Sequence, residues 1–413
     1  MECVRAVSKD IDHPFNGGKP NISQQSCSNS AYLLEVFSNS TLQSFVEPWY
    51  ASLKDPGRAQ GETLEYLMER YAKTAYGKKF GAEGIHSISE FQSKFPICDY
   101  GSLKPYFDDI QSGISGFESI FSEPITNWVM TRGTTRKTSK VIPINQTHLT
   151  QILFAGARGI VNFALRKKPA ILKRDVLNLN FPSSVHTLTV PGQSTETYGY
   201  SSGTYARLHP SLDAANLVPK QEEIDSFGSG IRSSDWERRF ELAFEKASQA
   251  DVGCVIGVTP VILEFARFVR KKYHKSPKDL WKMDALFCTS VAKIQTKYAP
   301  DLRYFYGESL PVVEMYTATE GVFAQQLDDN PYVCPNYDLY LFEVSLGKGR
   351  VKLLHELDKN EWGSLVISSV LFPRYQIGDL IESVGRGYFR VFGRNRTSTV
   401  LEHYFYNLLA GRL

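Results

Sequence analysis

The sequence is short of cysteine, long apolar runs and net charge, and each shortage removes a class of protein. Its 413 residues hold six cysteines, at Cys3, Cys27, Cys98, Cys254, Cys288 and Cys334. They lack the close pairing of a zinc site and the density of a secreted disulfide scaffold. They read as reduced thiols, which places the protein in the cytoplasm. No stretch approaches the roughly 18 consecutive apolar residues that a membrane-spanning helix needs, and the N-terminus carries no apolar signal core. Lys and Arg number 47 against 44 Asp and Glu, a net charge of +3 with no long basic run. Neither nucleic acid nor a membrane surface is therefore an expected partner, and small molecules are.

What is present is a soluble globular composition, 42% hydrophobic and 22% charged, in a chain long enough for a large core. Residues 1–28 are polar, rich in Ser, Asn, Gly and Lys, and are expected to form a flexible arm. Apolar positions at helical spacing predict helices over 31–53 and 63–76. Ser87 and Glu90 predict a capping box, with Pro96 ending that helix, and a short helix is expected over 103–110. Strands are expected at 126–130 and 141–144, joined by a polar loop, and helical periodicity returns over 149–165. Residues 251–258 read as a buried strand leading into a helix with Thr259 as N-cap and Pro260 first in the helix. The same rhythm recurs at 285–289 and 312–315, and 340–392 is mostly strands and turns. The expected class is α/β with a β-rich C-terminal portion. Between about 168 and 235 periodicity is too weak to place elements.

Three segments have residue types suited to binding a nucleotide. The loop from Thr131 through Arg132, Gly133, Thr134, Thr135, Arg136, Lys137, Thr138 and Ser139 to Lys140 offers hydroxyls and cations that can surround phosphate oxygens; as a lone feature it also reads as a solvated hairpin. Met315, Tyr316, Thr317, Ala318, Thr319, Glu320 and Gly321 put a carboxylate and hydroxyls at a strand's end, where oxygen ligands suit Mg²⁺ bridging to phosphates, and Tyr316 offers a ring to a nucleobase. The plainer reading is a strand-capping turn. The third segment runs from Arg374 through Tyr375, Gln376, Ile377 and Gly378 to Asp379 and Leu380, with Phe392, Gly393 and Arg394 following. An ionised Asp379 can accept both ribose hydroxyls, although Gly-Asp alone reads as a β-turn.

In this order and at these separations, the three segments resemble the phosphate loop, the Tyr-x-x-Ser/Thr-Glu motif and the Tyr-Arg-x-Gly-Asp motif with its later Gly-Arg of adenylate-forming enzymes. Thr74 to Gly77 before Phe80, Phe95 to Ile97, Asp99 to Tyr106 and Leu302 to Gly321 further resemble the auxin- and jasmonate-conjugating acyl-acid amido synthetases. The resemblance implies an ANL-type large domain of mixed β-sheets flanked by helices over 29–396, with 397–413 a short helix or hinge remnant. It implies a ligase that uses ATP and Mg²⁺ to turn a carboxylic acid into an acyl adenylate and then joins it to an amine or amino acid. Carried over, Thr134, Thr135 and Lys140 would contact the phosphates, Thr131 and Gly133 would belong to the same nucleotide site, and Thr319 would face the α-phosphate. Glu320 would hold the metal, Tyr316 would contact adenine, Thr317 would bind the nucleotide, and Asp379 would lie at the ribose and Arg394 at the hinge beside the nucleotide. Lys140, Thr319 and Glu320 would carry catalysis.

Two departures qualify this. Arg132 replaces the family's second loop hydroxyl and Lys137 a later glycine, adding positive charge where close backbone approach is usual. The family's C-terminal domain has no counterpart here, so the sequence reads as a truncation, a large domain acting alone, or one served by a separate C-terminal-domain protein. A nucleotide- or acyl-adenylate-binding protein with weak or no catalysis, and an acyl-CoA or carrier-protein ligase, are the alternative functions. Tyr200 to Thr204 also looks like a phosphate loop, but no Lys follows it and no clear strand precedes it, so it reads as a loop near an acyl pocket or a plain turn, and His148 as a packed or capping residue.

Overall fold

The computed structural model describes residues 39–132, 139–190, 195–208 and 216–409. The expected N-terminal arm, Gly133, Thr134 and Thr135 lie outside them. The chain opens with helices α1 (Asn39–Lys54), α2 (Pro56–Tyr71), α3 (Ala75–Lys79), α4 (Ile88–Lys94) and α5 (Tyr100–Gln111). Local capping fixes most of their starts. Asp55 accepts from the Arg58 amide with Pro56 first in α2, Thr74 from Gly77 and Asp99 from Ser102, while Ser87 and Glu90 form the expected reciprocal box. The helix anticipated over 63–76 is instead α2 and α3. Thr74 starts a new helix, and Gly77 packs so closely that a Cβ there would lie 2.0 Å from the Tyr71 carbonyl oxygen.

Strands β1 (Ile125–Met130) and β2 (Val141–Asn145) form an antiparallel hairpin, and Asn145 caps the long α6 (Gln146–Arg166). The stretch that sequence could not place contains β3 (Asp175–Leu177), the hairpin β4 (His186–Thr189) and β5 (Thr195–Tyr198), α7 (Ser201–Leu208), β6 (Leu217–Val218) and α8 (Gln221–Asp225). Next come α9 (Ser233–Ala247), β7 (Val252–Val258), α10 (Thr259–Tyr273), α11 (Pro277–Leu280), β8 (Ala285–Thr289), α12 (Ala299–Tyr306), β9 (Val312–Ala318), β10 (Gly321–Gln325) and β11 (Cys334–Pro335). The expected N-cap shifts by one: Val258 precedes α10, and the Thr259 hydroxyl instead donates to Thr289 O on the neighbouring strand, at 2.8 Å.

These strands form a seven-stranded sheet in the order β11-β10-β9-β8-β7-β3-β6. Strands β6, β3, β7, β8 and β9 run parallel, with β10 and β11 antiparallel at one edge. One apolar core gathers α9, α10 and α12 against this sheet. A larger one joins α6, the N-terminal helices and a second sheet. That sheet is antiparallel, ordered β13 (Arg350–Leu353), β12 (Leu341–Gly347), β14 (Trp362–Ser368), β15 (Tyr375–Gly385) and β16 (Tyr388–Arg394). A final helix, α13, spans Thr397–Leu409. The architecture is the expected mixed α/β, with helices on the parallel sheet and a β-rich C-terminal portion. None of the described helices is long and apolar enough to cross a membrane.

The N-terminal helices are tied to the distant second half of the chain. Trp49 Nε1 donates to Pro335 O at 3.0 Å, Gln60 serves the backbone of Tyr337, Tyr340 and Phe342, and the Tyr71 hydroxyl donates to Ser369 O. Cys98 exchanges backbone hydrogen bonds with Arg374 and Gln376, holding the start of β15 in place.

Candidate active site

A cavity of about 1610 Å³ opens where the C-terminal ends of β7, β8 and β9 meet the β1–β2 hairpin, α6, α7 and the β15–β16 pair. It exceeds the ~300–1,000 Å³ usual for one small ligand, and ligands of open α/β sheets gather at this edge. All of the sequence-predicted site residues that lie within the described residues line it: Thr131, Lys140, Tyr316, Thr317, Thr319, Glu320, Asp379 and Arg394.

At one end the register of β15 and β16 sets Asp379 directly opposite Arg394. The Arg394 guanidinium lies 3.1 Å from Asp379 Oδ1, and the Tyr316 hydroxyl donates to Oδ2 at 2.7 Å. Gly378 takes a positive φ of 91°, a conformation glycine adopts at little cost. Burial pushes the Asp379 carboxyl up, against the opposing pull of Arg394 and the Tyr316 hydrogen bond. Tyr316 differs from the flat nucleobase platform expected of it. It is 8% exposed, packed against Phe323 and Phe389, and its hydroxyl orients Asp379.

At the centre, β9 and β10 are joined by Thr319 and Glu320, with Ala318 pairing Gly321. The two side chains thus sit at the tip of a tight turn. Glu320 is 5% exposed, so the exposed capping turn is not what forms. Its Oε1 lies 3.5 Å from Lys140 Nζ and 3.1 Å from the Tyr375 hydroxyl, which donates to it. Lys140 Nζ in turn donates to that hydroxyl at 2.9 Å. Lys140 is set by the hairpin: Thr131 N donates to its carbonyl at 2.9 Å, and its amide donates to Thr131 Oγ1 at 3.0 Å. Thr319 Oγ1 lies 3.2 Å from Ser201 Oγ, and its carbonyl accepts from the Tyr205 hydroxyl at 2.9 Å.

Nothing in the sequence marks Tyr375 or Tyr205 as a site residue, and Ser201 stands out there only as part of the Tyr200–Thr204 segment. Tyr375 stood inside a quoted segment as a neighbour of Gly-Asp. The Tyr200–Thr204 stretch, read as a loop or turn, becomes the start of α7 against Thr319. His148 is buried and bonded to Tyr205 at 3.0 Å. Burial pushes its imidazole down to about 3, so it is a packed neutral residue. Arg374, quoted with the third segment, turns away from the cavity. Its guanidinium bonds Glu343 at 2.8 and 3.0 Å and the carbonyls of Phe95 and Gln92. The position after Tyr375, where the resembled motif has Arg, is Gln376.

Among the described residues no group of three or more His, Cys, Asp or Glu side chains is arranged to hold a metal ion. One carboxylate beside hydroxyls fits a cation carried mainly by nucleotide phosphates, which is how Mg²⁺ is usually held. The described cysteines, Cys98, Cys254, Cys288 and Cys334, are free and buried, and burial pushes each thiol up to about 12.

The rest of the cavity is apolar. Leu149, Ile152, Leu153, Gly156 and Ile160 on one face of α6 look across at Val176 and Met315 of the parallel sheet. A Cβ at Gly156 would meet nothing within 4 Å.

Residues 47–223 match the GH3 family N-terminal domain. The indole-3-acetic acid-amido synthetase GH3.8 of Oryza sativa subsp. indica is 21% identical over 387 residues, covering 79% of this chain and 64% of that protein. The jasmonoyl--L-amino acid synthetase GH3.5 of Oryza sativa subsp. japonica is 32% identical over 100 residues, 24% of this chain and 17% of that protein. The chain thus spans less than two thirds of these relatives. Among solved structures, the AtGH3.15 acyl acid amido synthetase in complex with 2,4-DB superposes with a TM-score of 0.70 at 14% identity, covering 87% of this chain and 72% of that one. A 2-hydroxyisobutyryl-CoA ligase in the postadenylation state reaches 0.52 at 14% identity, over 87% and 68%. At such identities the superpositions speak for the fold, which is that of adenylate-forming ligases. Family match, relatives and fold agree: residues 47–223 match the GH3 family N-terminal domain, and the chain has the fold of the acyl acid amido synthetase and adenylate-forming ligase structures it superposes on.

Proposed function

We propose that this chain is the nucleotide- and acid-binding part of an ATP-dependent ligase that activates a carboxylic acid and transfers its acyl group to an amine, such as an amino acid. The observation that carries this reading is one cavity holding Asp379 with Arg394, Glu320 with Lys140, and an apolar arm beside them. Asp379 would accept the ribose hydroxyls, and Thr319 would lie at the α-phosphate. Lys140 would balance charge on the departing pyrophosphate as a carboxylate oxygen displaces it from the α-phosphorus. The amine then attacks the acyl carbon, releasing AMP and one proton. Glu320 would hold Mg²⁺, which when bound neutralises phosphate charge. These residues orient and neutralise, and no covalent protein nucleophile is invoked. The names of the relatives support an amide-forming outcome.

Titration calorimetry with ATP and Mg²⁺ tests the nucleotide site: saturable binding that Asp379→Ala abolishes is expected. Pyrophosphate exchange with a panel of acids tests activation, and amine against thiol acceptors then tests transfer. Glu320→Gln is expected to abolish Mg²⁺-dependent turnover in a folded protein. Nucleotide binding without exchange on any acid would instead favour a binding protein.

A further inference from the structure

Arg132 stands apart from the other cations of the cavity. Thr131 and Lys140 are paired across the hairpin, and Lys140 reaches towards Tyr375 and Glu320. Arg132, one residue on, reaches the other way, its guanidinium carbon 5.1 Å from the centre of the Phe181 ring. It lines the cavity. Among the described residues it has neither an ion pair nor a hydrogen-bond partner. Burial works against its charge, and the ring face returns only part of what hydration gave. A half-buried guanidinium that lines a cavity and meets no carboxylate among the described residues is suited to an anion that arrives with a ligand.

Its surroundings indicate which anion. Phe181 lies just beyond β3, whose Val176 and Leu177 line the apolar arm, and packs on Tyr200 and Trp236. Met130 N donates to Gly199 O at 2.8 Å, and Met130 bridges Tyr200 in parallel. Arg132 therefore runs beside Ser201 and Ser202. Ser201 touches Thr319, the residue assigned to the α-phosphate. An anion at Arg132 would lie between the apolar arm and that phosphate, on the opposite face of the hairpin from Lys140.

We propose that Arg132 holds the carboxylate of the acid substrate, with the acid's apolar body in the arm beneath α6, and so sets both acid affinity and the alignment of the attacking oxygen. This rests on the reading of the cavity as an acid-activating site. It assigns an acid with one anionic head and a sizeable uncharged body. Phosphate is the competing anion, and the test separates the two.

The full chain and its Arg132→Gln and Arg132→Lys variants would be titrated, without ATP, with indole-3-acetate, 2,4-DB, jasmonate and straight-chain alkanoates. The primary carboxamide of the best-bound acid and pyrophosphate serve as comparisons. Charge-assisted hydrogen bonds are strong enough to predict about a tenfold or greater loss of acid affinity in Arg132→Gln. Arg132→Lys should recover part of it, the carboxamide should be indifferent to the substitution, and pyrophosphate affinity should stay within about twofold. A pyrophosphate affinity that falls with the acid's, acid binding unaffected by Arg132→Gln, or no acid bound by the wild type would each overturn the assignment. Exchange activity indifferent to Arg132 would refute this inference and leave the ligase reading standing. Arg132-dependent acid binding in a protein with no exchange would do the reverse.

Discussion

Removing the Arg374 guanidinium should unfasten the nucleotide-binding end of the cavity from the N-terminal helices. The side chain is 5% exposed and Glu343 is fully buried. The guanidinium makes two bonds to that carboxylate and two to the carbonyls of Phe95 and Gln92, at 2.6 and 2.7 Å. Arg374→Met keeps much of the volume and leaves Glu343 with a single hydrogen bond among the described contacts, from Gln92 Nε2 at 3.0 Å. Breaking one side of a buried pair typically costs about 3–5 kcal/mol, and this pair, with its four bonds, belongs at the upper end. Urea unfolding at neutral pH should show that loss at an unchanged slope, insensitive to salt because the pair is screened from solvent. The double variant Arg374→Met, Glu343→Leu removes the stranded charge and should recover about 2 kcal/mol or more. AMP affinity should fall in the single variant, since β15 begins at the next residue and carries Asp379. A single-variant loss under about 1 kcal/mol, or no recovery in the double, would refute the argument.

Three further outcomes follow from the geometry. Burial raises the Asp379 carboxyl, so the folded state holds its proton more tightly than the unfolded chain, and the ionised group is a cost at neutral pH that fades as pH falls through its folded value. Asp379→Asn should therefore lose nucleotide binding yet unfold at higher urea at pH 7 than wild type, with the gap narrowing in acid; a less stable variant contradicts this. With its imidazole pushed down to about 3, His148 contributes stability above about pH 6.5 that is lost as pH falls towards 3, so His148→Gln should flatten the acid side of the stability profile. It should leave the exchange–pH profile unchanged in shape between pH 5.5 and 8.5, and an inflection near 6.5 that disappears in the variant would make His148 a working acid or base. Gly156→Leu should stabilise α6 by about 0.5–1 kcal/mol through helix propensity while filling the apolar arm, so that bulky acids lose affinity and short ones keep it. Equal losses for both, read by calorimetry, would place the acid elsewhere.

Sequence disclosed the parts of the cavity lining that are polar at strand ends: Thr131 and Lys140 at the two ends of their loop, the Thr319–Glu320 turn and the Gly378–Asp379 pair. The resemblance implies separate places near the nucleotide for Asp379 and Arg394, but not their pairing, because register across a hairpin decides it. Sequence missed Tyr375, whose hydroxyl links Lys140 to Glu320, since a buried tyrosine in a strand looks like any core aromatic. Tyr205 and the contact of Ser201 with Thr319 were hidden for another reason. Ser201 and Tyr205 belong to the stretch where β3 and β6 are three and two residues long, too short for any period to register. Both strands are held by parallel pairing to residues 41 or more positions away. Nothing in the sequence says where Arg374 points: the chain turns left-handed there, with φ 44°, sending its side chain into the core while the next residue faces the cavity.

The ties from Trp49, Gln60, Tyr71 and Cys98 to residues 335–376 have a consequence for synthesis. These helices cannot complete their contacts until about 280 further residues have emerged, roughly 15–60 s at ordinary elongation rates of ~5–20 residues per second. Throughout that interval α2 and α4 can pack only on their N-terminal neighbours, as Tyr71 and Phe91 do on Phe95, and the part of their apolar surface that faces the second sheet waits for cover. The match over 47–223 therefore marks an evolutionary unit and not a folding one: a fragment ending at residue 223 should be made without reaching the native state.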